Sequence, residues 1–341
     1  MKRKAPAWTK LGDEQLLDLR LCDLRLRLHR TPVQSRITRL YRELEARGIA
    51  FKPHAWLAEE WFSPDGVPGF AVPFYLAHPR LTRLERKMTG QVEGSNANWQ
   101  MRILRHEAGH AIDSAYRLRR RARWRALFGN ASRRYAPQYR ARLASRHHVQ
   151  HLGEWYAQAH PTEDFAETFA VWLQPRSPWR RRYAAWPARR KLEYVAQVAQ
   201  EIGRHRPAVA ARDRIEALEH SPMTLREHYR RKRRAERRRH RALADRLLRK
   251  VFVSKEQART GAPPAAALLR SLKVSVLNSM EQRANTDRYS AQQLLRLAIE
   301  RCEQLQLYQR GSKRAAVPKI RATLIRMARG YITSDELRLR L

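Results

Sequence analysis

The N-terminal part of the chain combines an ambiguous leucine pattern with one clear helix. Residues 12–30 are rich in leucine, and Leu24-Arg-Leu-Arg-Leu28 alternates apolar and charged side chains. Alternation with a period of two residues favours a strand, although the leucines over residues 17–28 also fit one face of a helix. Thr31-Pro32 is typical of a helix start, with Thr as N-cap and Pro at the first helical position. We expect this helix to end at Gly48, because glycine is common just past a helix C-terminus.

The next part of the chain has the pattern of a small sheet. Three short extended segments are predicted, over residues 49–52, 56–62 and 70–76. Pro64-Asp65-Gly66 predicts a turn between the second and the third segment. One helix beside a small sheet indicates an α+β arrangement.

Most of the remaining chain has apolar positions at helical spacing. The predicted helices cover residues 98–118, 134–150, 161–174, 187–203, 208–219, 223–250, 264–282, 290–308 and 318–329. Proline-containing stretches interrupt this pattern near residues 207 and 222, where we place a boundary. The sequence therefore predicts an α+β domain over 1–205, a linker or connecting helix over 206–222, and a basic, mostly α-helical C-terminal region over 223–341.

Composition restricts the class of protein and its compartment. The 341 residues include 43% apolar side chains, which excludes a wholly disordered chain. No apolar run approaches the roughly 20 residues of a membrane span, and we expect neither a span nor a secretory signal. Cys22 and Cys302 are the only cysteines, so a disulfide framework is excluded. A reducing, cytoplasmic location is expected.

The formal net charge of +39 raises the question of an acidic partner. The densest cluster of charge is the run Arg230-Arg-Lys-Arg-Arg-Ala-Glu-Arg-Arg-Arg-His-Arg241. Guanidinium groups suit phosphates, so nucleic acid is a candidate partner of this run. The alternative is a solvated helix face in an arginine-rich chain, since no aromatic side chain interleaves the run to stack on bases. The candidate polyanion-binding residues are Arg230, Arg231, Arg233, Arg234, Arg237 and Arg238.

The clearest chemical signal is the H-E-x-x-H motif His106-Glu107-Ala108-Gly109-His110. On a helix, residues four apart share a face, so both imidazoles can reach one metal ion. A zinc ion in such a site lowers the pKa of a coordinated water, and the glutamate between the histidines accepts the proton. The alternative is a helix that carries two histidines satisfied by hydrogen bonds.

A catalytic zinc site needs a third protein ligand, and the best donors lie in the predicted helix 161–174. Glu163 and Glu167 are one turn apart on the same face of this helix. One of them can bind the metal while the other orients a ligand histidine. A solvated helix face is the alternative, but this apolar, arginine-poor segment is unusual in so basic a chain.

The two motifs together resemble a known family. His106-Glu-Ala-Gly-His110, followed by Tyr156-Ala-Gln-Ala-His-Pro-Thr-Glu-Asp-Phe-Ala-Glu-Thr-Phe-Ala170, is similar to the bacterial zinc-binding metallopeptidases. The longer pattern also resembles the catalytic domain of anthrax lethal factor, a zincin with a glutamate as third ligand. The similarity to the bacterial family covers about residues 40–205. The resemblance implies a zincin-like metallopeptidase core, with a small sheet beside the motif helix.

The resemblance also implies roles for individual residues. His106, His110 and Glu163 would bind one Zn²⁺ per chain, and Glu107 would be the general base. Tyr156 precedes Glu163 by seven residues and would donate a hydrogen bond to the developing oxyanion.

Two further carboxylates are candidates for orienting the ligand histidines. With Glu163 as the metal ligand, Glu167 takes this role. Asp113, three residues after His110, is the other candidate. A surface aspartate, or one bonded to N–H groups, is the alternative for Asp113.

Three functions remain in competition at this point. The first is a gluzincin-type zinc metallopeptidase that hydrolyses a protein or peptide substrate. The second is a nucleic-acid-associated binding protein with a structural or vestigial zincin core, and the third is a protease recruited to DNA-bound substrates by the basic region. Glu107 favours the first, because a purely structural zinc site needs no such carboxylate and prefers a fourth protein ligand.

Overall fold

The computed structural model describes residues 6–90, 92–136, 141–142, 145–153, 155–203, 205–284 and 288–336. These residues divide into two compact units, one up to Tyr229 and the other from Arg230 to Glu336. Each unit has its own cluster of buried apolar side chains.

The first unit is helix-rich with a small sheet, which agrees with the predicted α+β class. Its helices are α1 (Asp13–Leu17), α2 (Gln34–Glu45), α3 (Pro79–Thr89), α4 (Ala97–Tyr116), α5 (Ala122–Phe128), α6 (Pro161–Leu173), α7 (Trp179–Arg182) and α8 (Arg189–Ile202), and its strands are β1 (His54–Ala58) and β2 (Gly69–Pro73).

The second unit is mainly helical and contains one short antiparallel strand pair. Its elements are α9 (Leu225–Leu248, of which Arg230 onward belongs to this unit), β3 (Phe252–Ser254), α10 (Ala265–Ser271), α11 (Lys273–Ala284), α12 (Arg288–Gln304), β4 (Leu307–Gln309) and α13 (Lys313–Glu336). Within the described part of the chain, no helix has the length and apolar character needed to cross a membrane.

The sheet of the first unit is smaller than predicted. β1 and β2 pair in parallel, with His54 opposite Gly69, and Phe62 adds an antiparallel bridge to Ala71. The predicted extended segment 49–52 forms no strand. Instead, the Ile49 N–H donates to the carbonyl of Leu44 and closes the end of α2.

The start of the chain differs from its leucine pattern. The predicted strand over Leu24–Leu28 is wrong, because this region forms short 3-10 turns that bury Leu21 and Leu24 in the core. The Thr31 hydroxyl donates to the Leu28 carbonyl and does not cap a helix; α2 begins only at Gln34. Gly48, with φ of 79°, terminates the helix as predicted, because its N–H bonds the Glu45 carbonyl in a Schellman arrangement.

Two predicted helices are absent from the described residues. The segment 134–150 has no helix where it is described; residues 137–140 and 143–144 lie outside that part. The helix predicted over 208–219 is wrong, and only a 3-10 turn at Leu218–His220 forms there. Carbonyls of this segment instead face side chains of β1: Trp56 Nε1 donates to the Ile215 carbonyl at 2.9 Å, and His54 Nε2 lies 2.8 Å from the Asp213 carbonyl.

Candidate metal centre

Helices α4 and α6 approach closely because of one glycine in the motif. A Cβ on Gly109 would lie 2.8 Å from the Cα of Ala166, closer than real Cβ atoms come to backbone. Glycine therefore lets α4 lie directly against α6, which is buried at every residue. Since His106 and His110 lie one turn apart on α4, this contact brings both imidazoles to Glu163 on α6.

Three ligand-type atoms converge between the two helices. Oε2 of Glu163 lies 3.0 Å from Nε2 of His106 and 3.2 Å from Nε2 of His110. The two Nε2 atoms are 3.1 Å apart. His106, His110 and Glu163 thus form a triad whose ligand atoms all lie within 4.8 Å of one another. The sequence placed these three residues in one site, and the structure brings them together.

The imidazole of His106 is oriented by a hydrogen bond at Nδ1, the ring nitrogen that does not face the triad. Its Nδ1 donates to Oε1 of Glu167 at 3.0 Å, which leaves Nε2 facing His110 and Glu163. The carboxylate of Glu167 also accepts from the backbone N–H groups of His151 and Leu152, at 3.2 and 3.0 Å. Glu167 is therefore held against His106 by the chain segment that precedes α6.

The triad fits a zinc ion. With the Nδ1 proton of His106 committed to Glu167, the neutral form of its ring would direct the Nε2 lone pair at a carboxylate oxygen and at a second imidazole. Lone pairs of three acceptor atoms at these distances repel one another, so the arrangement is favourable only when a cation or a proton lies between them. Burial lowers the pKa of His106, but Glu163 and Glu167 outweigh it and raise that pKa above its ordinary value. The separations of 3.0–3.2 Å approach the roughly 3.3 Å expected between ligands about 2.0 Å from a tetrahedral zinc.

Glu107 lies beside the triad and is held by a residue that the sequence did not single out. Oγ of Ser63 donates to Oε2 of Glu107 at 2.8 Å. Burial raises the pKa of the Glu107 carboxyl, against the opposing effect of the two histidines. A buried carboxylate with a raised pKa is suited to accept and return a proton.

Tyr156 lies in a short 3-10 turn just before α6. Its ring centre is 5.7 Å from that of His106, and its side chain is buried. Burial, together with the nearby carboxylate of Glu163, raises the pKa of Tyr156 well above its ordinary value. The phenol therefore keeps its proton at neutral pH and can donate a hydrogen bond.

The comparison with protein families agrees with this geometry. Residues 101–179 match the family model described as "Putative zinc-binding metallo-peptidase". The match begins on α4 before the H-E-x-x-H motif and ends after α6, so it contains the triad, Glu107, Tyr156 and Glu167. Searches of the curated proteins and of the solved structures gave no match.

Tyr135, within the matched segment, contacts the triad and is not among the residues that the sequence singled out. Its hydroxyl donates to Oε1 of Glu163 at 2.7 Å. The contact spans 28 residues and comes from the segment 134–150, whose apolar spacing predicts a helix and gives no sign of a bond to Glu163. Its only signal is position, since Tyr135 lies in the arginine-rich segment of about residues 118–150, here called the basic insertion, between the helices that carry His106 and Glu163.

Asp113 has a different set of partners from the one considered first. Oδ1 accepts from the Arg119 backbone N–H at 2.8 Å, and Oδ2 accepts from Nε of Arg119 at 2.6 Å. Arg119 also bonds Asp65 in the turn after β1. This is the N–H-bonded arrangement that the sequence left open, and a role of Asp113 toward a ligand histidine stays a prediction.

The arginine run lies on α9, in the second unit. The exposed members among the candidates are Arg230, Arg231, Arg233, Arg234 and Arg238. The side chain of Arg237 lies outside the described part of the structure.

Proposed function

We propose that the chain is a zinc-dependent metallopeptidase that hydrolyses peptide bonds in a protein or peptide substrate. The observation that carries the proposal is the triad of buried His106 and Glu163 with partly buried His110, beside which lies Glu107. These three residues would hold one Zn²⁺ per chain, in a gluzincin-type, zincin-like core. The family match over residues 101–179 supports the same assignment.

The chemistry divides between the ion and the side chains. A zinc ion supplies Lewis acidity, which polarises a scissile carbonyl and lowers the pKa of a water. Glu107 accepts the proton from the attacking water and later delivers it to the leaving amine, while Ser63 keeps one carboxylate oxygen in place. Tyr156, buried and protonated, donates a hydrogen bond to the oxyanion as it develops.

The presence of Glu107 separates catalysis from a purely structural role for zinc. A structural site is closed by four protein ligands, whereas the cluster formed by the described residues has three donors and a buried carboxylate that is not among them. This arrangement is that of a site with an open position for substrate. We therefore prefer an active enzyme to a vestigial core.

The test compares wild type, Glu107→Gln and Tyr156→Phe in hydrolysis of fluorescently labelled casein, with zinc content measured on the same samples. Glu107→Gln should keep zinc and lose hydrolysis, because it removes only the proton acceptor. Tyr156→Phe should keep zinc and lower turnover by roughly 10²–10³-fold. Hydrolysis by Glu107→Gln at the wild-type rate would contradict the proposal.

A second candidate function concerns the arginine run of α9. Its exposed guanidinium groups favour binding of nucleic acid through phosphates, which would recruit the peptidase to DNA-bound substrates. This candidate adds to the peptidase and does not replace it.

A further inference from the structure

Tyr135 comes from the chain segment between the ligand helices and lies at the edge of the candidate metal centre. Its side chain is 38% exposed, so it is not part of the hydrophobic core. The hydroxyl nevertheless lies 2.7 Å from Oε1 of Glu163 and 2.8 Å from Oγ1 of Thr162. A surface-facing tyrosine is thereby bonded to a buried carboxylate of the triad.

The two oxygens of Glu163 have separate partners. Oε2 lies between the Nε2 atoms of His106 and His110, at 3.0 and 3.2 Å. Oε1 accepts from the Tyr135 hydroxyl. A free carboxylate can rotate or bind an ion through both oxygens, whereas a phenol that donates to one oxygen fixes the orientation of the carboxylate and favours binding through the other oxygen.

Tyr135 is itself held in place by a short chain of contacts. Its ring stacks on the imidazole of His160 with centres 3.9 Å apart and an angle of 17° between the planes. Nε2 of His160 bonds the carbonyl of Arg133 at 2.7 Å, and its Nδ1 lies 2.7 Å from Oγ1 of Thr162. His160 also caps the N-terminus of α6, the helix that carries Glu163. The start of this helix therefore orients the Tyr135 ring, whose hydroxyl bonds Glu163.

We propose that Tyr135 is a positioning residue that makes Glu163 a one-oxygen metal ligand. Its phenol occupies Oε1, so that Oε2 alone faces the two histidines. The inference rests on the proposed zinc site and extends it to a residue outside the two motifs. It also gives the basic insertion a role in the metal centre.

The experiment measures metal binding by the full chain in the absence of any substrate. Zinc affinity is obtained by competition with a chromophoric chelator, and the visible absorption spectrum of the Co²⁺-substituted protein reports the coordination. Tyr135→Phe keeps the ring that stacks on His160 and removes only the hydroxyl. It should weaken zinc binding by about 10- to 100-fold, as loss of a partner to a metal ligand commonly does, and should change the Co²⁺ spectrum.

Tyr41→Phe is the matched control. The Tyr41 hydroxyl donates to the Pro53 carbonyl at 2.7 Å, a bond in which no residue of the triad takes part. This variant loses an equivalent phenol bond and should bind zinc with wild-type affinity and spectrum. If loss of any phenol hydrogen bond were enough, the zinc affinity of both variants would fall alike, which would count against a specific role for Tyr135.

Tyr135→Ala separates the hydroxyl from the ring. If Tyr135→Phe matched wild type and only Tyr135→Ala weakened binding, stacking on His160 would be responsible and the inference would be overturned. If wild type bound zinc no better than His110→Ala, the zinc site itself would be wrong. Normal zinc binding by wild type and by Tyr135→Phe would overturn the role of Tyr135 alone. Thermal unfolding of each variant in EDTA checks that the folded state is retained.

Discussion

Nδ1 of His106 lies 3.0 Å from Oε1 of Glu167, on the side of the ring away from His110. Because of this contact, Glu163 and Glu167, one helical turn apart on α6, bind different atoms of the site. Glu163 approaches Nε2 of both histidines through Oε2, while Glu167 accepts hydrogen bonds from Nδ1 of His106 and from two backbone N–H groups.

Substitution of each glutamate by alanine should therefore affect zinc affinity differently. Glu163→Ala removes a ligand-type oxygen and should abolish tight binding. Glu167→Ala leaves the triad in place and should weaken binding by only about 10- to 100-fold. Competition titrations with a chelator measure both. The reverse order would mean that the ligand has been assigned to the wrong turn of α6.

Gly109→Ala tests the contact that brings the ligand helices together. A methyl group at this position would lie 2.8 Å from the Cα of Ala166, so α4 and α6 must separate. We expect a loss of about 1–3 kcal/mol in the free energy of unfolding, with weaker zinc binding. Chemical denaturation and a zinc titration provide the two measurements.

Gly12→Ala is the control for this substitution. A Cβ at Gly12 would meet only Oε1 of Gln15, at 3.7 Å, which is ordinary van der Waals contact. It should leave zinc binding unchanged. If Gly109→Ala were as harmless as Gly12→Ala, close helix contact would not be what forms the site.

The buried His151 should make the stability of the metal-free protein depend on pH. Burial lowers its pKa from 6.5 to about 4, although Glu167 and the Arg102 carbonyl act in the opposite direction. The unfolded chain binds a proton below about pH 6.5, whereas the folded chain does so only near pH 4. Stability is therefore complete above pH 6.5 and falls as the pH is lowered toward 4, by up to about 3 kcal/mol from this group.

The measurement is urea denaturation in EDTA between pH 4 and 7, for wild type and His151→Asn. The variant should lose less stability across this range than wild type does. His220→Asn is the control, because His220 has 80% of its side chain exposed and should follow wild type. Identical pH curves for wild type and His151→Asn would show that His151 is not held neutral by burial.

The arginine run predicts binding of DNA that depends steeply on salt. Replacement of Arg230, Arg231, Arg233 and Arg234 by glutamine should weaken binding to a short duplex. It should also reduce the slope of log affinity against log salt by about 0.9 for each phosphate that the variant no longer neutralises. Electrophoretic shifts at several salt concentrations give both quantities.

A charge-matched control distinguishes a local interface from general attraction to a basic chain. It replaces four exposed arginines elsewhere: Arg83, Arg86, Arg181 and Arg190. If both quadruple variants lost affinity equally, or wild type did not bind at physiological salt, recruitment through α9 would be excluded.

Local periodicity predicted the parts of the fold that depend on it. The helices that carry His106 and Glu163 were expected over 98–118 and 161–174, and they are observed at Ala97–Tyr116 and Pro161–Leu173. Burial of one helical face leaves a pattern that a single sequence displays. The alternation over Leu24–Leu28 predicts a strand that does not form, because short 3-10 turns bury leucines in this region.

Contacts between distant segments could not be predicted in the same way. Ser63 bonds Glu107 across 44 residues, and Tyr135 bonds Glu163 across 28. Ser63 lies in a loop, and Tyr135 lies in a segment whose helical spacing predicts a helix that does not form where the segment is described. In the segment predicted as a helix over 208–219, the carbonyl of Ile215 accepts from Trp56, 159 residues away, in place of a helical N–H. Such bonds depend on tertiary packing, which overrides local propensity.

The most direct test of the account is elemental analysis of the purified full-length chain, with His106→Ala and His110→Ala as variants. The proposed centre has one set of ligands, so wild type should contain one zinc ion per chain, and each variant should contain far less. Zinc-free wild type that also takes up none on titration would contradict the account, as would variants that retain the wild-type content.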